Sequence, residues 1–254
     1  MPGDIVRPSA MYKQLADRLA EAIAEGEYEP GSMLPSESQL MERYSVSRPT
    51  VRSAVAELRS MGLVESQHGK GSFVRAHGLP TAAIERTITR TGKRFALGWP
   101  AEELDLPAVT RGQATGIAAT LLDREDEAVF ITDRLLSDPA TSARAAHRTL
   151  IPFDVAEQVP DLAKRPDAEP ADIYAALTAA GHTLTWTETV TARGALPDER
   201  TDLGMADGSP ILITYRVTAA ADGTPLILEE LRVNADHAQL AYRISAETEP
   251  APNR

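Results

Sequence analysis

Arg48 and Arg52 stand four residues apart in the stretch SVSRPTVRSAVAEL, residues 45–58. At that spacing two side chains share one face of a helix. An arginine fork bonds guanine O6 and N7 together. Hydroxyls such as those of Ser47 and Thr50, and the free N–H groups of a helix start, bond phosphate. Further along, His68-Gly69-Lys70-Gly71 places a cation among glycines, where backbone can come close to a phosphate chain. Together these residues have the chemistry to read a nucleic-acid groove. For an isolated arginine pair the alternative is an ordinary solvated helix face.

Other chemistries fit less well. The chain of 254 residues has no cysteine, which excludes disulfides and Cys-based metal sites and fits a reducing compartment. His147, His182 and His237 show no metal-ligand spacing, so no metal and no cofactor is expected. There is no Ser-His-Asp set and no nucleophile elbow. A phosphate-binding loop would need glycine five residues before Gly69, where Val64 stands. No apolar run approaches the roughly 18 residues that span a bilayer, and the N-terminus has no apolar signal core. A cytoplasmic protein without membrane contact is expected. Net charge is −11, but unevenly spread: residues 1–77 carry nine Lys and Arg against ten Asp and Glu. Between Ser47 and Arg75, Arg48, Arg52, Arg59, Lys70 and Arg75 face only Glu57 and Glu65. That basic island on an acidic chain points to DNA better than the total does.

Several elements must position these residues. Tyr12, Leu15, Leu19 and Ile23 recur at helical spacing after a possible N-cap at Ser9, and Gly26 sits where the helix would stop. Ser36-x-x-Gln39 matches a capping box for a short second helix anchored by Leu40 and Tyr44. A third helix runs to about Met61, with Val51, Val55 and Leu58 inward. Pro49 is tolerable only in a first turn, which fixes the start near Ser47–Arg48. A residue before proline avoids the α region, so Arg48 is an alternative cap. Leu63–Gln67 and Ser72–Arg75 read as a hairpin. Two helices, a tight turn and a following hairpin make a winged helix-turn-helix.

The order and spacing of GEYEPGSMLPSE, SVSRPTVR, LRSMGLV and HGKGSFV resemble the N-terminal domain of the GntR family of bacterial regulators. By that resemblance Arg48 and Arg52 contact guanines and nearby phosphates. Ser47, Thr50 and the cap Ser36 stand at the backbone, and His68, Gly69 and Lys70 place the wing at the minor groove. One position departs: after LPSE the family often carries a phosphate-touching arginine, and here it is Ser38.

Beyond the hairpin, residues 77–92 have no clear period and read as a linker between a DNA-binding domain, 8–76, and a second domain, 93–246. The tail 247–254 is expected to be disordered. GQATGIAATLLD, DIYAALTAAG and DERTDLGM read as helices. AVFITDRLL, AAHRTLIP, HTLTWTETVTARGAL and a long hairpin around Asp222-Gly223 read as strands. The fold class is α+β with a mainly antiparallel sheet. This part is similar to the UTRA effector domain of the HutC subfamily, which has the chorismate lyase fold. The resemblance implies a small-molecule effector, often an anion held by arginines. Arg134 matches a ligand arginine, His147 stands where a carboxylate is common, Tyr174 matches the tyrosine of the family's helix, and Glu229 lies near a late acidic position. The second arginine common two residues after the first is Leu136 here.

The expected function follows: a non-enzymatic, ligand-responsive regulator, a repressor by default. A homodimer would bind a palindromic double-stranded DNA operator and respond to a small-molecule effector. The alternatives are a constitutive repressor whose second domain only dimerises, and a chorismate-lyase-like enzyme.

Overall fold

The computed structural model describes residues 10–67, 71–75, 82–205 and 209–244. The chain divides into two compact units, Met1–Leu79 with Gly194–Pro210, and Pro80–Arg193 with Ile211–Arg254.

The first unit holds α1 (Met11–Ala24), α2 (Glu37–Tyr44), α3 (Arg48–Ser60), β1 (Val64–Gln67) and β2 (Gly71–Val74). Leu15, Leu19, Leu40, Val51, Val55 and Leu58 are buried in one core, with Tyr12, Ile23 and Tyr44 packed at its margin. Ser9 lies outside the described residues; α1 opens after Ala10, which makes no side-chain cap bond. Ser36 caps α2 with the full capping box to Gln39. Ser45 then takes a left-handed conformation, φ 51°, which turns the chain tightly towards α3. Ser47, not Arg48, is the α3 cap: it is extended, and its side chain accepts the Thr50 N–H. Arg48 is therefore the first helical residue despite the proline after it, because the cap bond holds the turn that the proline ring disfavours.

The β1–β2 hairpin is antiparallel, with Val64 opposite Val74. Its outer edge is also paired, since Leu34 N–H donates to Ser72 O and Val74 N–H to Ser32 O. Arg59 Nη2 donates to Ser72 Oγ at 3.1 Å and so ties α3 to the hairpin. His68, Gly69 and Lys70, expected at the hairpin tip, lie outside the described residues.

The second unit begins with β3 (Ala82–Glu85), β4 (Ile88–Thr91) and β5 (Arg94–Leu97). The segment 77–92 is thus not simply a linker. Its residues 82–85 pair in parallel with β13 (Ala238–Ala241), and 88–91 form a hairpin with β5. The partner of β3 is far along the chain, so no local pattern announces it. Then come β6 (Glu102–Glu103), β7 (Ala108–Gln113), α4 (Gly116–Leu122), β8 (Ala128–Ser137), β9 (Arg144–Pro152), α5 (Phe153–Gln158), α6 (Pro160–Lys164), α7 (Pro170–Ala179) and β10 (Leu184–Gly194). The chain passes through α8 (Pro197–Asp202), in the first unit, and returns as β11 (Pro210–Ala220) and β12 (Pro225–Asn234). The tail 247–254 lies outside the described residues.

The main sheet has the order β10–β11–β12–β9–β8, with β6 and β7 both on β8. The β11–β12, β12–β9, β9–β8, β8–β7 and β8–β6 pairs are antiparallel. The architecture is α+β with a mainly antiparallel sheet, as the strand pattern suggests. Residues alternate between faces along each strand. Leu150 and Leu228 pack with Leu122 of α4, while Ile151 and Ile227 pack on the opposite face with Val155, Ile173 and Leu177 of α5 and α7. The register sets two polar rungs on the α7 face. Arg134, His147, Leu231 and Thr214 form one; Thr132, Thr149, Glu229 and Arg216 form the next.

Candidate nucleic-acid interface and effector cavity

On α3, Val51, Ala54, Val55 and Leu58 are buried, while Arg48, Arg52, Ser53 and Ala56 are exposed. The outward face therefore begins with both arginines. Glu37, in the first turn of α2, meets them: Arg52 Nε donates to Glu37 Oε1 at 2.9 Å, and Arg48 Nε lies 3.6 Å from Glu37 Oε2. This brings Ser36, Ser47, Arg48, Thr50 and Arg52 around the adjoining starts of two helices. Ser36 and Ser47 spend an acceptor on their own caps, and Ser47 Oγ is 2.8 Å from Thr50 Oγ1. The Arg52 bond to Glu37 uses Nε and leaves its two terminal nitrogens outside that bond.

Glu37 also places a negative charge where phosphates would come. Glu37→Gln keeps an acceptor for Arg52 and removes that charge. Affinity for random-sequence duplex is expected to rise about two- to five-fold, read by fluorescence anisotropy at fixed salt. Unchanged or weaker non-specific binding contradicts this role.

In the second unit a cavity of about 360 Å³ lies on the α7 face of the sheet, within the size range of small-molecule sites. Arg134 and His147, neighbours across β8 and β9, line it with Phe95, Trp99 and the start of α7. The Arg134 side chain is 3% exposed. Its Nε donates to Glu103 Oε1 at 3.0 Å, and its Nη2 donates to the carbonyls of Asp167 and Ala168 at 2.6 and 2.8 Å. Thr132 Oγ1 donates to Pro166 O, so one strand face holds the loop that leads into α7.

Tyr174 and Glu229 do not line the cavity; they are buried behind His147. Tyr174 donates its hydroxyl to Glu229 Oε2, and His147 Nε2 is 3.3 Å from Glu229 Oε1. Glu229 does not pair with Arg134 across the strands. A second buried group, which the sequence reading missed, adjoins this one. Arg216 Nε donates to Glu188 Oε2 at 2.6 Å, and Arg86 Nε donates to Glu188 Oε1 at 2.8 Å. Arg216 also donates from Nη2 to the Arg86 carbonyl, and the Tyr242 hydroxyl donates to Glu188 Oε1 at 3.1 Å. A signal was present: Glu188 shares its strand phase with Leu184 and Trp186, and a carboxylate in that phase needs a buried cation.

Burial alone would raise the Glu229 carboxyl, but the hydrogen bond and charge of His147, then Arg216 and Tyr174, outweigh it and hold the carboxyl low. Glu188 is likewise held low against burial, by Arg86 and Arg216. Burial, then the neighbouring Glu229 charge, pushes the Tyr174 hydroxyl well above the ordinary phenol range. Carboxylates with depressed folded values stabilise the fold above their unfolded pKa, about 4.3 for Glu. That contribution is lost as pH falls through the folded values. Stability of the second unit is expected to be flat above about pH 5 and to drop below about pH 4. Denaturant midpoints measured across that range check this; midpoints constant to pH 3 contradict it.

Paired helices with a following hairpin, and a separate sheet domain with a cavity of small-molecule size, define a two-domain helix-turn-helix protein. The pattern described as "Bacterial regulatory proteins, gntR family" matches residues 11–74, and the UTRA domain matches residues 147–239. The chain thus joins a GntR helix-turn-helix domain to a UTRA domain. It is similar to the HTH-type transcriptional regulator RB1450 of Rhizobium meliloti (strain 1021), 29% identical over 91% of this chain and 93% of that one. It is also similar to the mannosyl-D-glycerate transport/metabolism system repressor MngR of Escherichia coli K12, 46% identical over 26% of this chain and 27% of that one. The solved structure of a GntR-family transcriptional regulator shares the fold, with a TM-score of 0.65 and 24% identity over 94% of this chain and 99% of that one. These relatives are named as transcriptional regulators, none of them as an enzyme. Among the described residues no acidic, histidine or cysteine cluster is built to hold a metal ion, and no helix is long and apolar enough to cross a membrane.

Proposed function

We propose that the chain is a ligand-responsive repressor of the HutC subfamily, working in the cytoplasm as a homodimer on a palindromic operator. The start of α3 enters the major groove, where Arg48 and Arg52 read guanines and Ser36, Ser47 and Thr50 stand near phosphates. His68, Gly69 and Lys70 follow at the minor groove. The effector binds in the second unit against Arg134 and His147. Tyr174 and Glu229 act one layer back by fixing His147, and a difference in effector affinity between two states of the dimer changes operator affinity.

The observation that carries the sensing half is the cavity at the Arg134–His147 rung. A metabolite screen by thermal shift, followed by operator binding with each stabilising compound, tests it. A stabilising compound that changes operator affinity at least several-fold supports the reading. Compounds that stabilise without changing operator affinity leave a constitutive repressor whose second domain only dimerises.

A further inference from the structure

The polar groups around the cavity are unevenly satisfied. Arg134 Nη1 and Arg86 Nη2 are buried and have no hydrogen-bond partner among the described residues. Both residues line the same cavity. Such orphans are rare in folded proteins, where the large majority of buried polar atoms are paired. Arg216 Nη1, next to Arg86 in the buried cluster, is a third. The side chains of Arg86, Arg134 and Arg216 are each under a tenth exposed, and so are their neighbours Glu188, Glu229 and His147.

The acids of the wall leave both orphan nitrogens unmet. Glu103 is 37% exposed and meets Arg134 at Nε. Glu85 accepts from the Thr87 N–H and hydroxyl, and Glu169 is exposed at the start of α7. The rest of the wall is apolar, with Phe95, Leu97, Trp99 and Leu136.

We propose that the effector is a small monocarboxylate with an apolar or aromatic body, and that Arg86 is its second anion-binding arm beside Arg134. This rests on the effector-sensing reading above. One orphan nitrogen on each of the two cavity arginines matches the two oxygens of a carboxylate, whereas a phosphate monoester brings a third oxygen and a charge of about −1.5 to −2. Arg86 supplies from β3's end the second guanidinium that Leu136 does not supply from β8. The apolar walls take the body of the ligand, and the orphan nitrogens take its oxygens as charge-assisted bonds.

The test uses the full chain with benzoate and 3-phenylpropanoate, their neutral amides, and inorganic phosphate. Each is titrated into the millimolar range by thermal shift and calorimetry. At least one acid is expected to bind and stabilise, with its amide and phosphate at least about tenfold weaker. Arg86→Gln and Arg134→Gln should each weaken the acid about 10- to 100-fold, and Arg86→Lys should recover part of the loss. Circular dichroism on each variant separates lost binding from lost folding, and Arg134→Gln gives the answer if Arg86→Gln does not fold. Binding of amide and acid alike, preference for phosphate, no binding of either acid, or wild-type affinity in both glutamine variants overturns the inference. Duplex binding by the same samples keeps the two readings apart. Acid binding that never alters DNA affinity removes the regulatory reading and leaves this site. A DNA response to neutral compounds alone removes this site and leaves the regulatory reading.

Discussion

Arg52→Ala is expected to remove specific DNA binding and leave the fold intact. The Arg52 side chain is 66% exposed and pairs with Glu37 at 2.9 Å. Exposed pairs of this kind contribute little, so the loss of stability should stay within about 0.5 kcal/mol. The effect on DNA is of a different size. One bidentate guanine contact is worth about 1–3 kcal/mol of discrimination. The proposed symmetric dimer uses it twice, giving about 2–6 kcal/mol, or roughly thirty-fold to twenty-five-thousand-fold in affinity. Non-specific, salt-dependent binding should fall far less, because the other cations of the island remain. Gel shifts on a selected duplex, beside circular dichroism and sedimentation, read both sides. Unchanged affinity would mean that α3 does not enter the groove as described.

The largest expected loss of stability comes from Glu188→Ala. Glu188 is 9% exposed and holds Arg86 and Arg216, whose side chains are 7% and 2% exposed. Removing one partner of a buried pair typically costs about 3–5 kcal/mol, because an uncompensated charge stays behind. Here two guanidinium groups lose their shared carboxylate. Arg216 keeps Glu229 nearby, which places the expected loss within that range rather than at twice it. Glu188→Gln keeps an acceptor and should cost less. Both tryptophans, Trp99 and Trp186, lie in the second unit, so their fluorescence during urea denaturation reports that unit's transition. A shift of less than about 1 kcal/mol for Glu188→Ala would show that water reaches the cluster.

Local chemistry made the first unit largely legible in the sequence. Pro49 and the Ser47 hydroxyl define where α3 begins, Ser36 and Gln39 do the same for α2, and Val51, Val55 and Leu58 choose the inward face. What remained hidden there was the contact between helices: nothing in the spacing shows that Glu37 meets Arg48 and Arg52. In the second unit the long strands and α7 were legible from their apolar periods. The four-residue strand β3 was not, because its partner β13 lies at the far end of the domain. The cavity was half legible. Arg134 and His147 stand on its wall, whereas Tyr174 and Glu229 stand behind it, a distinction set by strand register and packing depth. Arg86, Glu188 and Arg216 come from three distant strand regions, and only a folded sheet shows that they meet.

The most direct test of the central claim, a DNA-reading head carried by a sensing domain, is selection of the wild-type chain against a pool of randomised DNA duplexes, with Arg52→Ala selected in parallel. The account predicts that the wild type enriches one palindromic motif with guanines at symmetry-related positions, and that Arg52→Ala loses those guanines or the motif. A pool that stays random after selection by the folded wild-type protein, or a motif identical for both proteins, would contradict it.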